Sequence, residues 1–226
     1  MLSKLINTIK KYDPLQLLYP SLCRSCNCPI KKDSVFCESC FQQIKPIVTA
    51  FVSVTQKYAI KVFAVSAYKD PLRSLILRKS FSDIVASKHL SILMFERTNI
   101  KNMEFDYIIP VPLHWTRYAK RGYNQAEVMA KFLGKKLNIP VLNILKRKKR
   151  TSFQSRLTLV ERKENVKNVF AVKKKYKDNY KELLNDKRIL FIDDLCTTGA
   201  TLKNTARVLI DSKPQSLSAI VACRVV

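Results

Sequence analysis

The sequence predicts an α/β protein in which helices cover a parallel sheet, preceded by a small cysteine-rich module. From Lys61 onward, short apolar runs alternate with amphipathic helical patterns, an order that favours a parallel sheet. Five of the seven cysteines fall between residues 23 and 40, which indicates a separate module. The 226 residues include 47% hydrophobic residues and 3 glycines, a composition that excludes disordered and collagen-like chains.

The chain is strongly basic, with 42 Lys and Arg against 17 Asp and Glu and a formal net charge of +25. Basic residues are dense in residues 141–190, which include the run Lys146-Arg147-Lys148-Lys149-Arg150. This charge favours nucleic acid, phosphorylated metabolites or an anionic membrane surface as partners, although a solvated basic face has the same composition. No apolar run approaches the roughly 20 residues of a membrane helix, so we expect a soluble, cytoplasmic protein without a transmembrane segment.

Paired cysteines in the N-terminal module predict a metal site. Cys23 and Cys26 form one pair separated by two residues, and Cys37 and Cys40 form a second. Each pair can present two thiolates to one tetrahedral Zn²⁺, and four cysteine ligands leave no open position, so the ion would be structural. Disulfides or a redox pair are the alternatives, but a fifth cysteine and an intracellular chain argue against disulfides. Cys28 could replace Cys26 as a ligand.

The N-terminal part of the chain divides into three predicted pieces. Apolar residues at helical spacing predict a short amphipathic helix over residues 2–11, and the cysteine module follows at about 20–45. Pro46 and the polar stretch near Gln56-Lys57 indicate a linker. The predicted domains are therefore residues 1–56, the helix and zinc module with the linker, and residues 57–226.

The second domain reads as alternating strands and helices. Strands are predicted at residues 62–65, 107–109, 188–192 and 217–225, and helices at residues 71–79, 83–97, 124–137 and 201–210. Ligands of open parallel sheets bind at the carboxyl ends of the strands, so the segments that follow these strands are where a site is expected.

The clearest chemical motif follows the third of these strands. The strand ends in Asp193-Asp194, and a hydroxyl-rich loop then leads into a helix. The loop consists of Thr197, Thr198, Gly199, Ala200 and Thr201. Hydroxyls, a glycine and the free N–H groups of a helix start make an anion cradle, so acids followed by this loop suit a sugar phosphate. The alternative is a strand that happens to end in two acids, with threonine as a helix cap.

The whole string resembles the phosphoribosyl pyrophosphate (PRPP) motif of type I phosphoribosyltransferases. The resemblance implies that Asp193 and Asp194, the candidate catalytic residues, hold the ribose 2′- and 3′-hydroxyls. It implies that the loop at 197–201 holds the 5′-phosphate and that Mg²⁺ accompanies PRPP. Cys196 occupies a variable position, more typical of packing than of a nucleophile.

A basic segment after the second strand supports this interpretation. Arg117, Lys120 and Arg121 precede the helix predicted to begin near Asn124, and basic side chains beside a helix N-terminus suit a pyrophosphate. They are therefore candidate phosphate-binding residues. His114 can donate to a phosphate, although a lone histidine is more often structural.

Four features in a fixed order resemble the ComF family of competence proteins. They are the cysteine pairs, the Pro-Val-Pro turn and Arg-Gly-Tyr-Asn-Gln-Ala string within 110–126, the block from Arg150 to Phe170, and the acids and loop at 193–201. The resemblance covers nearly the whole chain. Tyr123 stands where the family usually has Phe, and Asn27 stands where its zinc knuckle usually has Gly.

The resemblance implies an N-terminal zinc-binding module of four cysteines fused to a type I phosphoribosyltransferase-like domain. It also implies a role in natural transformation, where members assist the uptake of single-stranded DNA, while one branch is associated with gluconate use. The implied partners are PRPP or a related phosphorylated sugar, single-stranded DNA and a competence helicase. The implied location is the cytoplasm, with the inner face of the membrane as the alternative.

We therefore expect a protein that binds PRPP or a related sugar phosphate with Mg²⁺ and acts as an accessory factor in DNA uptake. One alternative is an active phosphoribosyltransferase of nucleotide or base metabolism, in which pyrophosphate leaves C1 through an oxocarbenium-like state. Another is a non-catalytic scaffold on the same fold that binds single-stranded DNA. There the run 146–150 would meet the phosphates and Phe153 and Phe170 would offer aromatic platforms, although Phe170 is more typical of a core.

Overall fold

The computed structural model describes residues 21–31, 34–78, 84–113, 115–148 and 169–226. The chain forms two compact units, Met1–Ile44 and Lys45–Val226. The helix expected at residues 2–11 lies outside the described residues. None of the helices in the described ranges is both long and apolar enough to cross a membrane.

A tight turn around the first cysteine pair organises the first unit. The Cys23 amide donates to the Cys28 carbonyl at 2.9 Å, and the Asn27 amide donates to the Cys23 carbonyl at 3.0 Å. Asn27 has a φ of 61°, the left-handed conformation that asparagine tolerates better than other residues with a side chain. In the second pair, Cys37 is the N-cap of the short helix α1, Glu38–Gln42, and Cys40 lies within that helix and is buried.

The described part of the second unit contains the four predicted strands and four further short ones. The described strands are β1 Ala50–Ser53, β2 Ala59–Ala67, β3 Tyr107–Pro110, β4 Leu145–Arg147, β5 Phe170–Val172, β6 Arg188–Ile192, β7 Leu195–Cys196 and β8 Ser216–Arg224. Six of them form one sheet in the order β1-β2-β8-β6-β3, with β7 beside β8, and β4 pairs with β5 separately. β2, β8, β6 and β3 are parallel to their neighbours, whereas β1 is antiparallel to β2.

Helices connect the parallel strands, as the alternation predicts. Those of the second unit are α2 Leu72–Arg78, α3 Ile84–Arg97, α4 Trp115–Arg121, α5 Gln125–Leu137, α6 Tyr180–Leu184 and α7 Ala200–Arg207. Short 3₁₀ turns lie at Asn99–Asn102, Lys174–Tyr176 and Ile210–Ser212. The helix expected at 201–210 ends earlier, at Arg207. Beyond it the backbone hydrogen bonds join residues three apart, as in a 3₁₀ turn, and the Leu209 amide donates to the Ala206 carbonyl.

The predicted linker is not a linker throughout. Residues 50–53 form β1, and Phe51 pairs with Lys61 of β2. β1 packs its alternate residue Val52 against the core that lies under α7. A four-residue strand beside turn residues gives no periodic signal long enough to identify it, and its partner strand supplies the stabilisation.

Both faces of the sheet are covered. On one face, Val62 and Phe191 of the strands pack in a cluster with Leu202 and Ala206 of α7. On the other face, α3 and α5 contact the strands and bury side chains that include Leu90 and Met129. Each fully buried aliphatic or aromatic side chain contributes roughly 1.5–3 kcal/mol, so this two-sided burial stabilises the sheet and fixes the loops at its edges.

Candidate functional site

The carboxyl ends of β3 and β6 meet at one edge of the sheet. Pro110 pairs with Ile192, and the Val111 amide donates to the Ile192 carbonyl at 2.9 Å. Ile192 also pairs with Ile220 of β8. The segments that follow β3 and β6, in which the sequence places the candidate residues, therefore leave the sheet side by side.

The two acids follow β6 directly and are held by β8. The Asp193 amide donates to the Ile220 carbonyl at 3.2 Å, and the Asp194 carbonyl accepts from Ala222 and Cys223 at 3.1 and 3.2 Å. The Asp194 amide donates to Oδ1 of Asp193 at 2.8 Å, which holds one oxygen of that carboxylate against the backbone of the next residue. Both residues are half-buried, so their side chains can reach a ligand at the edge.

The loop between the acids and α7 needs its glycine. Gly199 has a φ of 74° and precedes the first residue of α7. A Cβ at this position would lie 2.6 Å from Cγ2 of Val52, so the loop approaches β1 too closely for any side chain. Thr197 and Thr198 are exposed, and the Thr198 hydroxyl accepts from the Ala200 amide at 3.4 Å. The loop therefore presents hydroxyls and the first amides of a helix to solvent.

Cys196 is packed inside this loop. It is 4% exposed and belongs to β7, which pairs with β8. Burial, and then the nearby Asp193 carboxylate, raise the pKa of its thiol. A buried, protonated thiol is a poor nucleophile, which agrees with the packing role expected from the sequence.

The basic candidates lie beyond β3. Arg117, Lys120 and Arg121 belong to α4, and Arg121 is half-buried. The side chains of Arg117 and Lys120, and all of His114, lie outside the described residues. α4 ends at Gly122, which has a φ of 78°, and the chain then enters α5.

Asn124 joins the turn after β3 to α5. Its side-chain oxygen accepts from the Ala126 amide at 3.2 Å, and its amide donates to the Val111 carbonyl at 3.1 Å. One side chain thus caps the helix and holds the Pro-Val-Pro turn. This arrangement brings the N-terminus of α5 towards the edge that carries the acids.

Two residues of the basic run 146–150 lie in a strand. Lys146 and Arg147 belong to β4, and the Arg147 guanidinium lies 5.5 Å from the centre of the Phe170 ring. Phe170 is 6% exposed, so it is a core residue and offers no open stacking surface. Residues 149–168, which include Phe153, lie outside the described residues.

Lys173 is a residue that the sequence analysis missed. Its Nζ donates to Oδ1 of Asn143 at 2.8 Å, and burial lowers the pKa of its ammonium group, opposed by the charge of Glu127 on α5. A half-buried lysine held near the start of α5 is a candidate for anion binding at this edge. Three consecutive lysines at 173–175 look like a solvated face, so no sequence signal distinguishes Lys173.

The four predicted ligands of the first unit lie together. The Sγ atoms of Cys23, Cys26, Cys37 and Cys40 are within 4.8 Å of one another. Tetrahedral Zn²⁺ with bonds near 2.3 Å requires sulfur–sulfur distances of about 3.8 Å, so small side-chain movements suffice to hold a metal ion such as zinc. Cys28 lies beside the group, with its Sγ 3.4 Å from that of Cys26.

Thiol acidity differs across this cluster. The Ser39 hydroxyl, 3.2 Å from the Cys37 sulfur, lowers the pKa of Cys37 to about 5. Burial raises the pKa of Cys40 to about 12. Thiolates are the metal-binding form, so Cys37 is ready to bind a cation and a metal would have to displace the proton of Cys40.

Comparison with known proteins agrees with the fold. Residues 119–225 match the phosphoribosyl transferase domain family, a range that includes α5, the acids and the glycine loop. The chain is 33% identical to Competence protein F of Haemophilus influenzae over 157 residues, 66% of each chain and so just under two thirds of that protein. It is 26% identical to the DNA utilization protein YhgH of Escherichia coli K12 over 212 residues, 90% of this chain and 84% of that one.

A third relative matches a shorter part of the chain. Competence protein ComFC of Bacillus subtilis is 32% identical over 118 residues, 52% of this chain and 44% of that protein. The structure has the helix-covered sheet and the N-terminal cysteine group that the sequence predicts. The chain is therefore a homologue of Competence protein F, YhgH and ComFC and carries a phosphoribosyl transferase domain.

Proposed function

We propose that this protein is an accessory factor in DNA uptake whose phosphoribosyl transferase domain binds PRPP or a related sugar phosphate. The observation that carries the binding site is the pair Asp193-Asp194 followed by the Gly199 loop, at the edge where β3 and β6 end together. The DNA-uptake role rests on the relatives, since their names describe competence and DNA utilization.

In this proposal, different residues bind different parts of the sugar phosphate. The Asp193 and Asp194 carboxylates would accept hydrogen bonds from the two ribose hydroxyls, and charge-assisted bonds of this kind are stronger than neutral ones. The hydroxyls of Thr197, Thr198 and Thr201 and the first amides of α7 would donate to the 5′-phosphate. Gly199 lets the loop pass close to Val52 in a left-handed conformation immediately before those amides.

The pyrophosphate would lie towards the segment after β3. Arg117, Lys120 and Arg121 are proposed to neutralise it, and Lys173 adds a further positive charge near α5. Mg²⁺ would neutralise the same group and would come with the ligand, because it is held in proteins by one or two carboxylates together with substrate phosphates. The two half-buried aspartates fit that requirement.

We further propose that Cys23, Cys26, Cys37 and Cys40 hold one structural Zn²⁺. Four thiolate ligands fill the tetrahedral positions and leave none for a substrate. The ion would replace the hydrophobic core that a unit of this size cannot build, and would fix the fold of the first unit.

Calorimetry tests the sugar-phosphate site. We expect the wild type to bind PRPP in the presence of Mg²⁺ and the double variant Asp193→Asn/Asp194→Asn to lose that binding. The matched control is Asp178→Asn/Asp211→Asn, which removes two exposed acids elsewhere and should bind as the wild type does. Equal binding by wild type and the Asp193 and Asp194 double variant would exclude the proposed site.

A transformation assay tests the biological role. In a naturally transformable host that lacks its own family member, the wild-type gene should restore uptake of linear DNA. The Asp193→Asn/Asp194→Asn variant should restore it poorly if the sugar-phosphate site serves the same role. Release of pyrophosphate from PRPP with a panel of amine and base acceptors would instead identify an active transferase.

A further inference from the structure

A groove lies at the amino edge of the sheet, at the opposite ends of the strands from the two acids. It has a volume of about 710 Å³ and is lined by residues from β1, β2 and the start of β8. Phe51, Lys57, Lys61, Lys213 and Asp186 are among the residues that line it. We call it the amino-edge groove.

Phe51 is unusual among the phenylalanines of the described strands because it is exposed. It is 70% exposed, while its neighbour Val52 packs against the core. Strand pairing holds its backbone, since Phe51 pairs directly with Lys61. The ring is therefore a flat apolar surface that faces solvent on a strand held by its partner, opposite Lys61.

The charge of the amino-edge groove is positive. Lys57, Lys61 and Lys213 are exposed, and Asp186 is the acidic residue among those that line the groove. In the described part of the chain, none of the three lysines forms an ion pair. Two of them lie against aromatic rings, with the Lys57 ammonium 5.8 Å from the Tyr58 ring centre and the Lys61 ammonium 5.3 Å from that of Phe63.

We propose that the amino-edge groove binds single-stranded DNA, with a base stacked on Phe51 and the backbone phosphates on Lys57, Lys61 and Lys213. Aromatic rings that stack on bases and cations that neutralise phosphates are the two elements of sequence-tolerant single-strand binding. Duplex DNA would bind less well, because its bases already stack on one another. The proposal rests on the proposed DNA-uptake function for the choice of DNA as the ligand.

The amino-edge groove and the proposed sugar-phosphate site lie in different places on the sheet. β2, β8 and β6 run parallel, so the amino-edge groove and the acids after β6 lie at opposite edges of the same sheet. A sugar phosphate at one edge and a DNA strand at the other can therefore be bound together. The scaffold interpretation places DNA on the run 146–150 with Phe153 and Phe170. Phe170 is buried, as expected of a core residue, and Phe153 lies outside the described residues.

Fluorescence anisotropy with labelled oligodeoxythymidylate tests the proposal on the full chain. Phe51→Ala should weaken binding roughly 5- to 150-fold, the effect of losing one base–aromatic stack, and Phe51→Trp should retain it. Leu77→Ala removes another exposed apolar side chain, on α2, and should leave the affinity unchanged.

The lysines are tested by salt dependence. Lys57→Gln/Lys61→Gln should reduce the slope of log affinity against log salt by about 1.4, because each single-strand phosphate contact contributes about 0.7. Lys135→Gln/Lys136→Gln removes the same charge from exposed positions at the end of α5 and should leave the slope unchanged.

Three results would overturn the proposal. They are no single-strand binding by the wild type, unchanged binding by the groove variants, or a change from dimer to monomer in Phe51→Ala with unchanged DNA affinity. The last would make Phe51 a contact between two copies of the chain. PRPP calorimetry on the same variants separates this proposal from the proposed function, since the groove variants should bind PRPP as the wild type does.

Discussion

Gly199 is constrained twice, by its backbone and by its neighbour. Its φ of 74° disfavours a side chain, and a Cβ would lie 2.6 Å from Val52. We expect Gly199→Ala to lower the free energy of unfolding by more than about 2 kcal/mol, since left-handed strain costs about 1–2 kcal/mol and overpacking adds about 1–3 kcal/mol. Urea denaturation followed by circular dichroism measures this loss.

Gly122 supplies the matched control. It has a φ of 78°, and a Cβ there would meet nothing within 4 Å. Gly122→Ala should therefore show the strain alone, about 1–2 kcal/mol. Gly199→Ala should cost less in a Val52→Ala background than in the wild type, and an equal cost in both backgrounds would contradict the clash with Val52.

Asp106 provides a pH-dependent contribution at the start of β6. Its Oδ2 accepts from the Arg188 amide at 2.7 Å and from Nε at 3.1 Å, and these bonds lower the pKa of its carboxyl group. Because the folded pKa lies below the unfolded one, the stabilisation is full above a pH of about 4 and is lost as the pH falls through the folded pKa.

Asp106→Ala should accordingly lower the free energy of unfolding by roughly 2 kcal/mol at neutral pH and by less in acid. Glu104 also accepts from Arg188 but is exposed, so Glu104→Gln is the control and should cost less. Urea titrations at several pH values measure both. A cost of Asp106→Ala that does not change with pH would rule out the ionised carboxylate as its source.

At the scale of an element, Asn124 decides where α5 begins. It caps the helix and also holds the Val111 carbonyl, so it connects the helix to the turn beside the acids. Asn124→Ala should cost about 1–2 kcal/mol, the range for losing an N-cap, and should weaken PRPP binding because the turn is released. Asn138→Gly, at the other end of α5 with a φ of 55°, should be neutral or slightly stabilising.

The cysteine pairs of the first unit give a second prediction at the scale of an element. The four sulfurs within 4.8 Å of one another include that of Cys26 and not that of Cys28, although these two sulfurs are 3.4 Å apart. Protein purified without chelator should carry about one zinc per chain by elemental analysis, and Cys28→Ser should retain it. Cys26→Ser should lose most of it, whereas the reverse pattern would assign the ligand to Cys28.

At the scale of the whole molecule, the class of fold followed from the sequence and the strand order did not. Alternating apolar runs identified β2, β3, β6 and β8 because each is a contiguous segment. The placement of β8 between β2 and β6 arises from pairing between distant segments, which periodicity does not encode. β1 was assigned to a linker for the same reason, since its partner stabilises it.

The candidate site, like the fold, could be predicted from the sequence only in part. Asp193, Asp194 and the loop to Thr201 are contiguous, so their arrangement after one strand could be predicted. Their position beside the turn after β3 depends on the register of Pro110 with Ile192, which only the structure supplies. Lys173 could not be found, because its burial depends on Asn143, far from it in sequence.

The position of β8 affects when the sheet can fold during synthesis. It is the last described strand along the sequence, yet it joins β2 to β6 in the middle of the sheet. During synthesis, β2 and β6 can therefore leave the ribosome without a common partner, and the sheet cannot close until residues 216–224 emerge. Such long-range closure slows folding and leaves strand edges exposed to chaperones and proteases in the interval. Ribosomes stalled before Ser216 should thus carry a protease-sensitive chain. A chain extended after Val226 by a linker long enough to carry β8 out of the exit tunnel should be resistant.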